Sequence, residues 1–109
     1  ITFNVMGELR NDIEINSRNF TISEAFPNPF NPSTSLKFNV HKKVMVKITI
    51  YDLLGNRIKN LVNDHYSKGS HSISWHAKND QGQTVSAGVY LYKVQAGEFQ
   101  STKKMILLK

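Results

Sequence analysis

Strict alternation of apolar and polar residues is the feature that most restricts how this chain can fold. In the segment VMVKITIYD, every even-numbered residue from Val44 to Ile50 is apolar, whereas Lys47 and Thr49 lie between them. The segment SLKFNV (35–40) alternates in the same way. A period of two is that of a β-strand, in which successive side chains point to opposite faces. Because no 3.6-residue period is sustained anywhere, the sequence predicts an all-β chain.

Turn-forming residues separate these segments at regular intervals. The runs LGNR (54–57), SKGS (67–70), NDQG (79–82) and AGE (96–98) contain the glycine, asparagine and serine residues that tight turns favour. GVYLYKV (88–94) is apolar on both faces, which is typical of a central strand. With 20–25 as the first strand, 58–62 as the fourth and 100–108 as the last, we count seven strands. This number in about 90 residues predicts an immunoglobulin/fibronectin-III-like β-sandwich of antiparallel strands.

The first 19 residues have a different pattern. Two short β-prone pieces, ITFNV and DIEIN, are followed by polar residues. We interpret residues 1–19 as the tail of a preceding domain or a linker, and residues 20–109 as the folded domain. The chain does not start with methionine, so we expect it to be a fragment of a longer protein whose export signal lies elsewhere.

The composition argues against catalysis and against metal or cofactor binding. The 109 residues contain no cysteine, and the four histidines show no ligand spacing, since His71 and His76 are five apart in a strand and point to opposite faces. There is no G-x-S-x-G motif, no glycine-rich phosphate loop and no paired acid and base. We therefore predict that the domain is not an enzyme and has no metal or cofactor.

The basic charge has two interpretations. The formal net charge is +6, from fourteen Lys and Arg against eight Asp and Glu. The basic residues are scattered along the strands, which is more typical of soluble strand faces than of a nucleic-acid surface. We expect no nucleic-acid partner.

Carbohydrate binding through exposed aromatic residues is an alternative. Trp75 shares a face with Ile73, which predicts a core position, and Tyr90 resembles a corner tyrosine whose hydroxyl bonds to the backbone. Only Tyr51 and Tyr66 look free, which is few for a sugar-binding platform.

A proline-rich segment, FPNPFNPS (26–33), precedes the second strand. Its three prolines fix the backbone φ angle and remove three N–H donors, so the segment is stiff and cannot join a regular ladder. We expect it to turn a corner at a sheet edge. Phe26 and Phe30 are predicted to plug the bottom of the sandwich, with the asparagine side chains bonded to the backbone of the turn.

Three long segments together indicate a family. AFPNPFNPSTSLKF, VKITIYDLLGNRIKNLV and GSHSISWHAKNDQGQTVSAGVYLYKVQAGEFQSTKKMILLK occur in this order over residues 24–109. They resemble the type A C-terminal sorting domain of proteins exported by the type IX secretion system. The pattern W-x-x-x-x-x-x-G followed by A-G-x-Y is also similar to the immunoglobulin-like domain of the flagellar hook-capping protein.

The resemblance implies a non-catalytic signal that directs a larger cargo protein across the outer membrane of a Gram-negative bacterium, to the cell surface or the medium. The implied partners are the outer-membrane secretion machinery, an upstream cargo domain of the same polypeptide and, after processing near Asn19–Glu24, lipopolysaccharide. The family's first recognition motif falls on Pro27, Asn28 and Pro29. Its second motif falls on Gly88, Val89 and Tyr90, with Lys93 in the same strand, and its terminal basic element falls on Lys103, Lys104 and Lys109.

We further expect the last strand, Gln100–Leu108, to be an exposed edge that the machinery reads by strand pairing at the end of the polypeptide. Two alternatives stay open: a structural spacer or assembly module, and a carbohydrate-binding sandwich appended to a secreted enzyme. Position discriminates the first, because a spacer can lie anywhere whereas a sorting signal must end the polypeptide.

Overall fold

The computed structural model describes residues 20–108, which form two antiparallel sheets. One sheet has the strand order β1–β2–β5 and the other β4–β3–β6–β7. The strands are β1 (Phe20–Ile22), β2 (Thr34–Val40), β3 (Val44–Asp52), β4 (Arg57–Tyr66), β5 (Gly69–Trp75), β6 (Gly88–Ala96) and β7 (Phe99–Leu107). The prediction of an all-β, seven-stranded immunoglobulin-like sandwich is confirmed. No helix within residues 20–108 is long and apolar enough to cross a membrane.

The alternation in the sequence decides which side chains enter the core. Ile48 and Ile50 of β3 are completely buried, as are Tyr92 and Val94 of β6, and Phe38 of β2 is buried within the same core. Each such side chain contributes about 1.5–3 kcal/mol by leaving water. The inner faces of the two sheets therefore supply the stability that a cysteine-free domain of this size needs.

Two strand boundaries differ from the predicted ones. β1 ends at Ile22 instead of continuing to residue 25, because the backbone N–H of Ala25 donates to the Tyr92 hydroxyl (3.0 Å) of the other sheet. β4 continues to Tyr66 instead of ending at Val62, since it pairs with β3 along its whole length. β4 is an edge strand, so its polar residues 63–65 can remain in water while the backbone stays paired.

The predicted turn at residues 79–82 is confirmed. The Asn79 Oδ1 atom accepts hydrogen bonds from the backbone N–H groups of Gln81 (3.0 Å) and Gln83 (2.9 Å), and Gly82 has a φ of +81°. Asp80 does not cap this turn. Its carboxylate instead holds β4, since it accepts a bond from the Asn60 N–H (2.9 Å) and lies 3.2 Å from the Arg57 Nε.

The aromatic residues lie mostly in the core. Trp75 is buried as predicted, and Tyr90 packs against it with ring centroids 5.3 Å apart. The prediction that Tyr66 is free is wrong, because its ring packs edge-on against Phe38 at 5.1 Å. Tyr51, the other residue predicted to be free, is half-buried.

Candidate functional site

The proline-rich segment joins the edges of the two sheets. Phe26 exchanges two backbone hydrogen bonds of 3.0 Å with Ser35 in β2. Four residues later, the Phe30 N–H donates to the Ile106 carbonyl (2.9 Å) and the Phe30 carbonyl accepts from the Leu108 N–H (2.8 Å). The segment thus crosses from the three-stranded sheet to β7 of the four-stranded sheet, which confirms the predicted corner at a sheet edge.

Between these two attachments, the Asn28 side chain pairs with β7. Its Oδ1 atom accepts a hydrogen bond from the Ile106 N–H (2.9 Å), and its Nδ2 atom donates to the Lys104 carbonyl (3.3 Å). The side-chain amide therefore takes the place of a peptide group of a neighbouring strand. The prediction that this asparagine bonds to its own turn is wrong. Pro27 and Pro29 on either side lack N–H donors, so they cannot donate backbone hydrogen bonds to β7. The outward backbone groups of Lys104 and Ile106 bond to the Asn28 side chain instead.

The two phenylalanines of the segment have opposite environments. Phe30 is buried and packs against Trp75 with ring centroids 5.8 Å apart, as the predicted plug requires. Phe26 is 78% exposed, so the prediction that it plugs the sandwich is wrong. The chain still follows the edge of β2 at this point, and Ala25 takes the inward position, which turns the next side chain outward.

Lys103 of β7 forms an ion pair with Glu24, which follows β1 of the other sheet. It lies opposite Tyr92, a core residue, so it projects to the inner side of β7, and its Nζ atom lies 2.6 Å from Glu24 Oε2. The hydrogen bond that Lys103 donates to the Glu24 carboxylate is the main cause that raises the pKa of Lys103 above its ordinary value of 10.5. Burial raises the pKa of the neighbouring Tyr92 above 10.0. An inward-pointing charge at an edge strand hinders pairing with another chain.

Residues 88–90 begin β6 and fix the corner of the sandwich. Gly88 has a φ of +151°, a conformation that residues with a side chain rarely adopt. The Tyr90 hydroxyl donates to the Ser86 carbonyl at 2.5 Å, which confirms the predicted corner tyrosine. Because Tyr90 also packs on Trp75, and Trp75 on Phe30, one aromatic cluster connects this corner with the proline-rich segment.

Six of the recognition residues implied by the resemblance lie in two groups around the end of β7. Pro27, Asn28 and Pro29 lie beside the end of β7, and Gly88, Val89 and Tyr90 pair with Leu107, Ile106 and Met105 of the same strand. Lys93 lies farther along, opposite Thr102. Lys104 is exposed on the outer face whereas Lys103 points inward, so these two lysines do not form one basic element. Lys109, like the predicted linker 1–19, lies outside the described residues.

Three contacts of this site have no signal in the sequence. The ion pair of Glu24 with Lys103, the side-chain bonds of Asn28 with β7 and the bond that the Ala25 N–H donates to the Tyr92 hydroxyl all join residues more than 60 positions apart. Strand periodicity predicts which face a side chain takes, but it does not predict which distant segment it meets.

The outer edge of β7 is open only in part. The backbone groups from the Lys104 carbonyl to the Leu108 N–H are bonded to Asn28 and Phe30. Within residues 20–108, no partner bonds to the outward backbone groups of Gln100 and Thr102. The expectation of a free edge over Gln100–Leu108 is therefore correct for the first part of the strand and wrong for the second.

Metal ligands do not gather in the part of the chain that the structure describes. No three side chains of His, Asp or Glu come together there in a way that could hold a metal ion. His76 instead lies 2.7 Å from the Ser33 hydroxyl, and the His71 Nε2 atom lies 2.8 Å from the Ser67 carbonyl.

A family model and several solved structures match the chain. The model described as "FlgD Ig-like domain" matches residues 29–99. PorU from Porphyromonas gingivalis, solved as a latent dimer, is similar with a TM-score of 0.67 and 22% identity over 82% of this chain and 9% of that one. PorZ, described as a surface component of the type IX secretion system of the same organism, gives a TM-score of 0.53 and 14% identity, covering 86% of this chain and 12% of that one.

FlgD from Xanthomonas campestris, described in connection with the hook capping that is essential for flagellar assembly, gives a TM-score of 0.55 and 18% identity over 81% of this chain and 66% of that one. No curated protein matches the chain. The chain spans less than two thirds of each of these solved chains. At these identities the similarity shows a shared immunoglobulin-like fold.

Proposed function

Because this chain belongs to the FlgD Ig-like domain family, we propose that it is a non-catalytic module of a larger protein, and that it acts as a C-terminal sorting domain of the type IX secretion system. In this role it directs a cargo protein across the outer membrane to the cell surface or the medium. The sequence motifs of residues 24–109 support the proposal, and so does the fold that the chain shares with PorU and PorZ.

The observation that carries the proposal is the convergence of the motifs on β7. The proline-rich motif and the motif at the start of β6 are about 60 residues apart, yet both contact the end of this strand. Asn28 bonds to its outer edge and Val89 pairs with its inner edge at the same residue, Ile106. The residues that carry the resemblance thus hold the last strand in one fixed position, as a folded sorting signal requires.

This arrangement changes how we expect the secretion machinery to recognise the domain. Among residues 20–108, the edge of β7 that a machinery protein could pair with is open at Gln100 and Thr102, because the proline-rich segment occupies the rest. We therefore expect recognition to use the exposed surface around the capped strand, which includes Pro27, Pro29 and Lys104. Lipopolysaccharide attachment after removal of the domain belongs to the same proposal.

The test is a reporter fused in front of the whole chain, residues 1–109, and directed to the periplasm of a bacterium that has a type IX secretion system. Reporter in the medium and on the cell surface is measured in this strain and in a strain lacking the machinery. The proposal predicts export in the first strain only. Retention of the reporter in the periplasm of both strains would contradict it.

Two matched variants connect the test with the site. Asn28→Ala removes both side-chain bonds to β7, whereas Asn31→Ala changes an exposed asparagine, also followed by proline, for which no side-chain bond is found within residues 20–108. We expect reduced export of the first variant and normal export of the second.

The spacer or assembly module is the second candidate, and the family match favours it because FlgD is described as a hook-capping protein. A spacer does not require the secretion machinery, so export in the machinery-deficient strain, or no export at all, would favour this function. Carbohydrate binding finds less support, because Trp75, Tyr90 and Tyr92 are buried.

A further inference from the structure

We propose that the outer face of the four-stranded sheet is a docking surface for an apolar segment of a partner protein that carries acidic residues around it. The surface, called here the apolar face, consists of Tyr51, Leu53, Leu54, Val89, Leu91 and Ile106. The inference rests on the proposed function, because the partner would be a component of the export machinery. It adds a recognition surface on the opposite side of β7 from the inward-pointing Lys103.

Four of these residues form two neighbouring rows on the sheet. Tyr92 and Met105 are buried, so the residues that alternate with them in β6 and β7 point outward. Tyr51 pairs with Leu91, and Val89 pairs with Ile106. All four are half-buried. An outward sheet face is usually polar when water covers it, so two adjacent apolar rows indicate a contact surface.

The turn after β3 extends this surface with two leucines. Leu53 is 64% exposed and Leu54 is 87% exposed. Single exposed leucines are common, but here two follow directly after Tyr51 and Asp52, at the end of an apolar sheet face.

Asp52 holds this turn in one conformation. Its Oδ1 atom accepts hydrogen bonds from the backbone N–H groups of Leu54 (2.9 Å) and Asn56 (2.9 Å), and its Oδ2 atom accepts one from Asn56 Nδ2 (3.2 Å). The backbone hydrogen bond from Asn56 is the main cause that lowers the pKa of Asp52. Because the turn is already ordered, the leucines can bind a partner with little loss of conformational entropy.

The charge around the apolar face determines the chemistry of the partner. The outward positions of β3, β6 and β7 include Lys47, Lys93 and Lys104, and none of them within residues 20–108 is occupied by Asp or Glu. A partner with carboxylates at its rim would be attracted and oriented by these lysines. A second copy of the chain would place lysine against lysine. A lipid surface would suit the protruding leucines, but it would not pack closely against the flat rows of the sheet.

The first experiment uses an acidic apolar probe, the pentapeptide Ac-Glu-Leu-Glu-Phe-Glu-NH2, and a control peptide with lysine in place of each glutamate. Amide chemical shifts of the whole chain are followed by NMR during titration. We expect saturable shifts at Leu54, Leu91 and Ile106 with the acidic peptide. Binding of the basic peptide should be about tenfold weaker or more, which corresponds to about 1.4 kcal/mol.

Four variants locate the binding. Leu54→Ser and Lys104→Glu change exposed residues at the apolar face, and each should weaken acidic-peptide binding about fivefold or more. Phe26→Ser and Lys37→Glu remove an exposed aromatic and an exposed lysine elsewhere, and they should leave binding unchanged. Since all four side chains are exposed, unchanged thermal unfolding is the check that none of them alters the fold.

Three results of these measurements would overturn the docking proposal: absent shifts or shifts elsewhere, equal binding of both peptides, and equal effects of the control variants. Concentration-dependent dimerisation that Leu54→Ser abolishes would assign the apolar face to self-association instead. Binding to vesicles of phosphatidylcholine and phosphatidylglycerol that Leu54→Ser abolishes would assign it to a lipid surface.

The reporter fusion separates this inference from the proposed function. If the unaltered chain is exported and Leu54→Ser and Lys104→Glu are exported equally well, the apolar face is not used in export and the inference is wrong. If the unaltered chain is not exported at all, the proposed function is wrong, and the peptide titration still decides whether the apolar face binds acidic apolar segments.

Discussion

Replacing Asn28 by alanine should destabilise the domain even though its side chain is exposed. The change removes the bonds to the Ile106 N–H (2.9 Å) and to the Lys104 carbonyl (3.3 Å) and leaves both backbone groups to water. A hydrogen bond contributes about 0.5–1.5 kcal/mol net, and the longer of these two lies at the weak end of that range. We therefore expect a loss of about 1–2 kcal/mol in the free energy of unfolding.

Urea unfolding of the whole chain measures this loss, with Asn31→Ala as the matched control. A loss of about 1 kcal/mol lowers the melting temperature by about 4–8 °C in a domain of this size, so thermal unfolding gives a second readout. Asn31 is exposed and has no side-chain hydrogen bond within residues 20–108, and its variant should stay within about 0.5 kcal/mol of the unaltered chain. Equal stability of the two variants would refute the view that the asparagine amide caps the edge of β7.

Three further predictions concern stability. Tyr90→Phe removes the hydroxyl that donates to the Ser86 carbonyl, and it should cost about 1 kcal/mol in urea unfolding without changing the dependence on urea concentration. Gly88→Ala forces a side chain into a backbone with φ of +151° and should cost about 1–3 kcal/mol in the free energy of unfolding. Gly69→Ala tests the same backbone strain at a strand start outside the site, where φ is +138°. Asp52 has a lowered pKa, so its contribution to stability is fully present above the unfolded value of 3.8 and is lost as the pH falls through the lower folded value. The stability difference between the unaltered chain and Asp52→Asn should therefore shrink in acid, and a difference that stays constant would contradict this role.

The fold was predictable to the extent that period-two alternation controls it. The alternation placed Ile48, Ile50 and Trp75 in the core, and the turn residues marked the limits of most strands. In the structure the same alternation puts Lys103 and Lys104 on opposite faces, although the resemblance had implied one terminal basic element. Local pattern is sufficient in these cases because each strand obeys the rule by itself.

The candidate site was less predictable, because the proline-rich segment has no period. Two phenylalanines in one stiff segment gave no indication that Phe30 would be buried and Phe26 exposed. The difference depends on the crossing from β2 to β7, which the pairing of distant strands determines. The partner of Asn28 could not be read from the sequence for the same reason, since it lies 78 positions away.

The central claim is that the folded domain acts as a sorting signal at the end of a polypeptide. Changing the position of the domain within a fusion protein tests this claim most directly. One reporter fusion ends with the whole chain, and a second carries a further stably folded domain behind it. Both are expressed in the strain with a type IX secretion system, and the exported fraction of each is measured. The account predicts export of the first fusion and retention of the second, and equal export of both would contradict it.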